Sequence, residues 1–260
     1  MVITDHDNFS IDADKNNTRN FKIEFKIGRV KKYKHIFFDL DHTLWDFDKN
    51  SGETLLELYN SHQLESLGVK SFESFLAAYR ERNSMMWDEY RLGKIDKATL
   101  RDKRFVFTFW DLGLDPDTTP KALSEDYIRL SPARNHLFPH SHEVLTYLKE
   151  KYKLHIITNG FEEAQHIKLE ASDLKKYFEE IIVSEHTGFK KPDIRIFEFA
   201  EKLTGATPED SIMIGDGLEV DVLGAIDAGW DAVFFNPNKT PHTENLKHEI
   251  ISLDQLLSIL

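Results

Sequence analysis

His35-Ile-Phe-Phe-Asp-Leu-Asp-His-Thr-Leu44 is an apolar run of strand length that closes on Asp39, Asp41 and Thr43 at alternate positions. Alternate side chains of a strand share a face, so the two carboxylates and the hydroxyl start out directed into one crevice. Open α/β sheets bind ligands at the carboxyl ends of their strands. One carboxylate can attack an electrophile while the other moves a proton. Read alone, the same stretch is also a strand followed by a turn built from Asp and Thr.

Three later segments favour the chemical reading. The run Leu154 to Thr158 is apolar and ends in Thr158-Asn159-Gly160. A small hydroxyl and a glycine turn at a strand end offer O–H and N–H donors to a phosphate; the competing reading is an ordinary helix cap. Gly188-Phe-Lys-Lys-Pro-Asp193 sets Lys191 before a proline. That position is biased towards extended backbone, which can aim inward a lysine that would otherwise be solvated. The run Ser211 to Gly215 leads into Asp216, with Asp221 five residues later.

Around these segments the chain alternates strand and helix. Strands are expected at 35–40, 153–158, 181–184, 211–215 and 232–236. Helices are expected at 141–151, 162–170, 194–203 and 220–228, with Gly229 as a helix stop. Such alternation implies parallel strands joined by right-handed crossovers. The interval 51–132 breaks the pattern with helical spacing alone: Phe75, Leu76 and Tyr79, then Met86, Trp87 and Tyr90, then Phe105, Val106, Phe109 and Trp110. The expected architecture is α/β. A Rossmann-like parallel sheet core (30–50 and 133–260) carries a helical block (51–132) inserted after its first strand.

Residues 1–29 are polar and unlike the rest. The stretch 12–20 has a disordered composition, while 21–27 alternates strictly and suits an added edge strand. Val30-Lys-Lys-Tyr-Lys leads into the first strand as a chain start would, which raises the expectation that translation begins at Val30. The intact mass of the native protein checks it.

Composition narrows the function classes. The 260 residues carry 33 basic and 45 acidic side chains, a net charge of −12. That balance opposes a broad nucleic-acid surface, although a local lysine and a metal can still hold a small phosphorylated molecule. Without cysteine there is no disulfide framework and no thiol chemistry. No apolar run reaches membrane-spanning length and the N-terminus lacks a signal-peptide core. A cytoplasmic protein without membrane partners is expected; the oligomeric state is not readable.

Asp39-x-Asp41-x-Thr43, Thr158, Lys191 and Asp216-x4-Asp221 resemble, in order and spacing, the four motifs of the haloacid dehalogenase superfamily. The resemblance runs from about Lys34 to the C-terminus. Ile156-Ile-Thr-Asn-Gly-Phe161, Gln165, Leu169-Glu170, Tyr177-Phe178, Ser184-Glu185 and the loop after Asp39 are similar to the pyrimidine 5'-nucleotidase branch, described as acting on noncanonical pyrimidine nucleotides.

Asp39, Asp41, Asp216 and Asp221 bring four carboxylates to one crevice. Two unit charges ~4 Å apart interact by roughly 4 kcal/mol at an effective dielectric near 20, so the cluster must take up protons or bind a cation. Mg²⁺, a hard ion held by carboxylates, waters and phosphate oxygens, suits it. The resemblance implies a role for each residue. Asp39 is the nucleophile that forms an aspartyl-phosphate, and Asp41 is the acid and then the base, with its carbonyl on the metal. Thr158, the Asn159 amide and the Gly160 turn hold phosphate oxygens. Lys191 offsets charge, Asp216 ligates Mg²⁺, and Asp221 ligates it or orients its waters. Thr43 braces the loop. Relatives that cleave carbon–halogen bonds lack a carboxylate at the place of Asp41, so its presence favours phosphoryl transfer.

The expected substrate is a pyrimidine nucleoside monophosphate. The alternatives are a phosphatase or phosphomutase for sugar phosphates and other metabolites, or a binding protein on a hydrolase fold. The helical block resembles a cap that selects substrate, through candidates Trp87, Tyr90, Arg91, Arg104 and Asn83; helical spacing equally has Trp87 and Tyr90 packing the block itself. His136, His140 and His142 fall within seven residues, yet no cysteine or carboxylate spacing supports zinc. His42 is expected to point away from both carboxylates.

Overall fold

The structure, a computed structural model, describes residues 33–260. The expectations for 1–29 and for a start at Val30 lie outside the described residues.

Six parallel strands form one sheet: β1 (His35–Phe38), β2 (Lys153–Thr158), β3 (Glu180–Val183), β4 (Ser211–Gly215), β5 (Asp231–Phe235) and β6 (Glu249–Ile250), in the order β3-β2-β1-β4-β5-β6. β1 lies at the centre. Phe38 is in register with Ile156 of β2 and Ile214 of β4, which brings the ends of those three strands side by side.

A parallel sheet is buried on both faces, and successive residues of β1 divide between the faces. Ile36 and Phe38 join Ile156, Ile214 and Val233 in one apolar core, with Val144, Leu145 and Leu148. Phe37 joins Ile157, Met213, Ile196, Phe197 and Trp230 in the other. All three of these β1 side chains are fully buried, each contributing roughly 1.5–3 kcal/mol. The covering helices are α5 (Ser141–Lys149), α6 (Glu162–Ala171), the one-turn α7 (Ser184–Thr187), α8 (Ile194–Thr204) and the short α9 (Gly224–Asp227).

Between β1 and β2 the chain is helical: α1 (Phe47–Ser61), α2 (Phe72–Arg91), α3 (Lys97–Asp111) and α4 (Leu123–Leu130). Asp46 caps α1 by accepting from the Lys49 N–H, and Asp96 caps α3 through Thr99, each satisfying a donor that a helix start leaves unpaired. The block has its own core, with Phe75 and Tyr79 of α2 against Phe105 and Phe109 of α3, Leu55 of α1 and Tyr127 of α4. Among the described residues no helix is long and apolar enough to cross a membrane.

Three local departures from expectation have physical causes. β1 stops at Phe38 rather than residue 40: Asp39 N–H still donates to Ile214 O at 2.9 Å, but the Leu44 and Trp45 N–H groups both turn back onto Leu40 O. Asp41 therefore sits in a tight turn, not on the strand, and strand alternation does not orient it. Helical structure begins at Phe47, ahead of residue 51, because Asp46 supplies a cap. The helix expected from 220 opens instead as a wide π turn over Leu218–Leu223, in which the Val222 N–H reaches back five residues to Gly217 O. Such turns often accompany functional sites.

Candidate active site

The tips of β1, β2 and β4 face the helical block across a cavity of about 430 Å³. Asp39, Asp41, Thr158, Asn159, Gly160, Lys191, Asp216 and Asp221 all line it.

Lys191 is the hub of the strand-tip wall. It is 2% exposed, and its ammonium meets Asp39 Oδ1 at 2.6 Å, Asp221 Oδ1 at 2.6 Å and the Ile157 carbonyl at 2.7 Å. Its backbone is clamped by Asn159, whose Oδ1 accepts from the Lys191 N–H and whose Nδ2 donates to the Lys191 carbonyl, both at 2.9 Å. The Lys191–Pro192 peptide is cis. The side-chain amide of Asn159 is thus engaged with the lysine, not turned to the cavity.

Asp39, Asp216 and Asp221 each offer an oxygen within 4.8 Å of the other two. Asp221 is brought this close because position 215 is glycine: a Cβ there would lie 2.3 Å from Asp221 Oδ2. The Gly217 N–H donates to the same oxygen at 3.0 Å. Thr43 donates to Asp216 Oδ1 at 3.2 Å and accepts from the Asp216 N–H at 3.0 Å. Burial drives the Asp39 carboxyl up; Lys191 opposes this, Asp221 and Asp216 reinforce it, and the outcome is about 8. Asp216 rises to about 7, by burial and then by the Asp221 charge. Burial alone would lower the Lys191 ammonium, but Asp221 and Asp39 outweigh it and hold it raised. Carboxyls this reluctant to ionise together are the complement of a divalent cation.

Asp41 stands apart from that trio. Its Oδ1 accepts from Lys168 Nζ at 2.6 Å and its Oδ2 from Gln165 Nε2 at 2.8 Å. Burial would raise this carboxyl; the Lys168 charge, with the two hydrogen bonds, outweighs it and holds Asp41 below its ordinary value. Thr158 Oγ1 accepts from Gln165 Nε2 at 2.6 Å and from the Gly160 N–H at 3.0 Å. A Cβ on Gly160 would lie 2.1 Å from Gln165 Nε2, so glycine is what lets the amide pass. The N–H of Gly160 serves Thr158 here.

Lys168 is not named in the reading from sequence, and Gln165 enters it only as a mark of the nucleotidase branch, with no part in the site. Both are buried on α6, one turn apart, with Lys168 Nζ 4.5 Å above the Trp45 ring. The available signal was their spacing on a face shared with Leu169. His42, expected to point away, lines the cavity with its ring 4.8 Å from Phe47. His136, His140 and His142 are held separately by Glu53, Glu143 and Tyr177.

On the opposite wall, Trp87 and Tyr90 pack edge to face, and both press on Phe161 of the core. Lys97 and Arg101 of α3 lie over the same Phe161 ring and pair with Glu163. Arg91 pairs with Asp88.

Residues 33–229 match the haloacid dehalogenase-like hydrolases. The chain belongs to that family. Among members of this hydrolase family, it is 32% identical to pyrimidine 5'-nucleotidase PynA of Streptococcus pneumoniae, over 88% of this chain and 95% of that protein. It is 30% identical to pyrimidine 5'-nucleotidase YjjG of Escherichia coli, over 83% of this chain and 91% of that protein. The crystal structure of the HAD-hydrolase YfnB from Bacillus subtilis, bound to magnesium, superposes with a TM-score of 0.79 at 27% identity, covering 88% of this chain and 99% of that one.

Proposed function

We propose that the protein is a Mg²⁺-dependent phosphomonoester hydrolase working through an aspartyl-phosphate, and that its substrates are pyrimidine nucleoside 5'-monophosphates. The observation that carries the reading is Lys191, buried between Asp39 and Asp221 in the cavity that also holds Asp216 and Asp41. The likeness to two pyrimidine nucleotidases over most of their length supports the substrate.

Asp39 attacks phosphorus as the bond to the leaving nucleoside oxygen breaks. Asp41 hands its proton to that oxygen, then takes one from the water that cleaves the aspartyl-phosphate. Lys168 and Gln165 orient Asp41 for both steps, and the incoming phosphate dianion favours the protonated form needed first. Thr158 and the main-chain N–H of Asn159 hold phosphoryl oxygens. Asp39, Asp216 and Asp221, with the Asp41 carbonyl, would hold the metal. When bound, Mg²⁺ supplies positive charge against the phosphoryl oxygens. The block of α1 to α4 serves as the substrate-selecting cap.

Phosphate release is measured across nucleoside monophosphates and sugar phosphates, with Mg²⁺ and after exhaustive chelation. Pyrimidine nucleotides are expected to lead, chelation to abolish turnover, and added Mg²⁺ to restore it. A sugar phosphate that outperforms every nucleotide overturns the substrate; full activity after chelation overturns the metal.

A further inference from the structure

Arg104, Asn83 and Tyr79, all buried on the helical wall, each carry a polar atom with no hydrogen-bond partner; among them Arg104 offers a donor and Asn83 an acceptor. Arg104 of α3 is 5% exposed, and its Nε has no hydrogen-bond partner. Its guanidinium lies 4.5 Å from the Tyr127 ring and 5.6 Å from that of Phe105, and it pairs with no carboxylate among the described residues. Asn83 of α2 is 7% exposed, and its Oδ1 has no partner. Both line the cavity that holds Asp39. Buried polar groups are almost always hydrogen-bonded, so each exception calls for an explanation.

The two atoms differ in kind. Arginine only donates, whereas Asn83 Oδ1 accepts. A pure anion, such as a carboxylate or a second phosphate, would satisfy Arg104 and leave Asn83 Oδ1 without a donor. A planar ring edge with a carbonyl beside an N–H meets both. Stacking is the weaker alternative for this wall, because Trp87 and Tyr90 are already engaged with each other and with Phe161.

We infer that Asn83 and Arg104 read the imide edge of a uracil-type base, Asn83 accepting from the ring N3–H and Arg104 donating to an adjacent carbonyl. This rests on the nucleotidase reading and adds the part of the substrate that is recognised. Both act as specificity residues, reading the base and taking no part in the transfer of the phosphoryl group.

The test uses the full chain with Mg²⁺ and compares kcat/KM for uridine 5'-monophosphate, its 3-methyl derivative and ribose 5-phosphate. Methylation removes the N3–H and keeps everything else. The unmodified nucleotide is expected to lead both others by at least about tenfold, the scale of one lost buried hydrogen bond. In Asn83→Ala and Arg104→Gln that lead is expected to shrink to about threefold or less. The comparison in the unmutated protein does not depend on whether either variant folds. If the nucleotide is cleaved but its methylated form reacts equally well, this inference falls and the nucleotidase reading stands. If well-folded variants keep the full lead, the assignment to these two residues falls. If no nucleotide is cleaved, both fall together.

Discussion

Lys191 and Arg104 are both buried cations lining one cavity, but their surroundings differ. Lys191 has two carboxylates and a carbonyl within 2.7 Å. Arg104 has aromatic faces and no carboxylate partner among the described residues. The strand-tip wall is assembled before any ligand arrives, since its charges are held by one another and by glycines that permit close approach. The helical wall leaves donors and acceptors open. A chemical step common to many substrates needs the first arrangement; discrimination among substrates needs the second.

The largest expected effect belongs to the assembled wall. Asp39→Asn removes the proposed nucleophile and should lower kcat/KM by at least about a thousandfold on every substrate, while circular dichroism shows the fold retained. Residual activity that differs between substrates would mean that the helical wall takes part in the chemistry. Next is Lys191→Met, which strands the buried carboxylates and should cost about 3–5 kcal/mol of stability in urea unfolding.

The sheet interior supplies a reference for a buried base of another kind. His155, stacked on His35 and 3.1 Å from it, is pushed down from 6.5 to about 3, by burial first and then by His35 and Lys153. Between those values the unfolded chain holds the extra proton, so stability falls as pH falls, by up to about 1.4 kcal/mol per pH unit. Asp39 and Asp216, raised in the folded state, act in the opposite sense over their own range. Urea unfolding of the unmutated protein and His155→Gln at pH 7, 6 and 5 separates them: the variant should lack the His155 slope. An unchanged slope would remove His155 from the account.

The smallest effect should reverse sign. Arg104→Met replaces an unpaired buried charge by an apolar side chain, and the ligand-free protein should be unchanged or up to about 1 kcal/mol more stable. A loss as large as that of Lys191→Met would erase the contrast between the walls.

Much of the strand-tip wall was legible because its residues report on their own local element. β2 and β4 end where their apolar runs end, at Thr158 and Gly215, and Asp216 follows directly. Asp41 was legible as a candidate but not in its placement, since the turn after Phe38 that repositions it depends on Leu40 accepting two backbone bonds. Lys168 was illegible because its partner is 127 positions away, and a lone helical lysine ordinarily reads as solvated. Arg104 was visible as a candidate, but its lack of a partner is a property of the packed block. β6, two residues long, carries too short a pattern to read.

The Thr158 hydroxyl oxygen already receives two hydrogens, from Gln165 and from the Gly160 N–H. A hydroxyl oxygen has two lone pairs and one proton, so only its proton remains to offer. The atom that reaches it must bring a lone pair of its own to take that proton, since an N–H or O–H proton aimed at Oγ1 finds both lone pairs occupied. At the seat proposed for phosphate, Thr158 is thus left as a pure donor, a match for a phosphoryl oxygen rich in lone pairs.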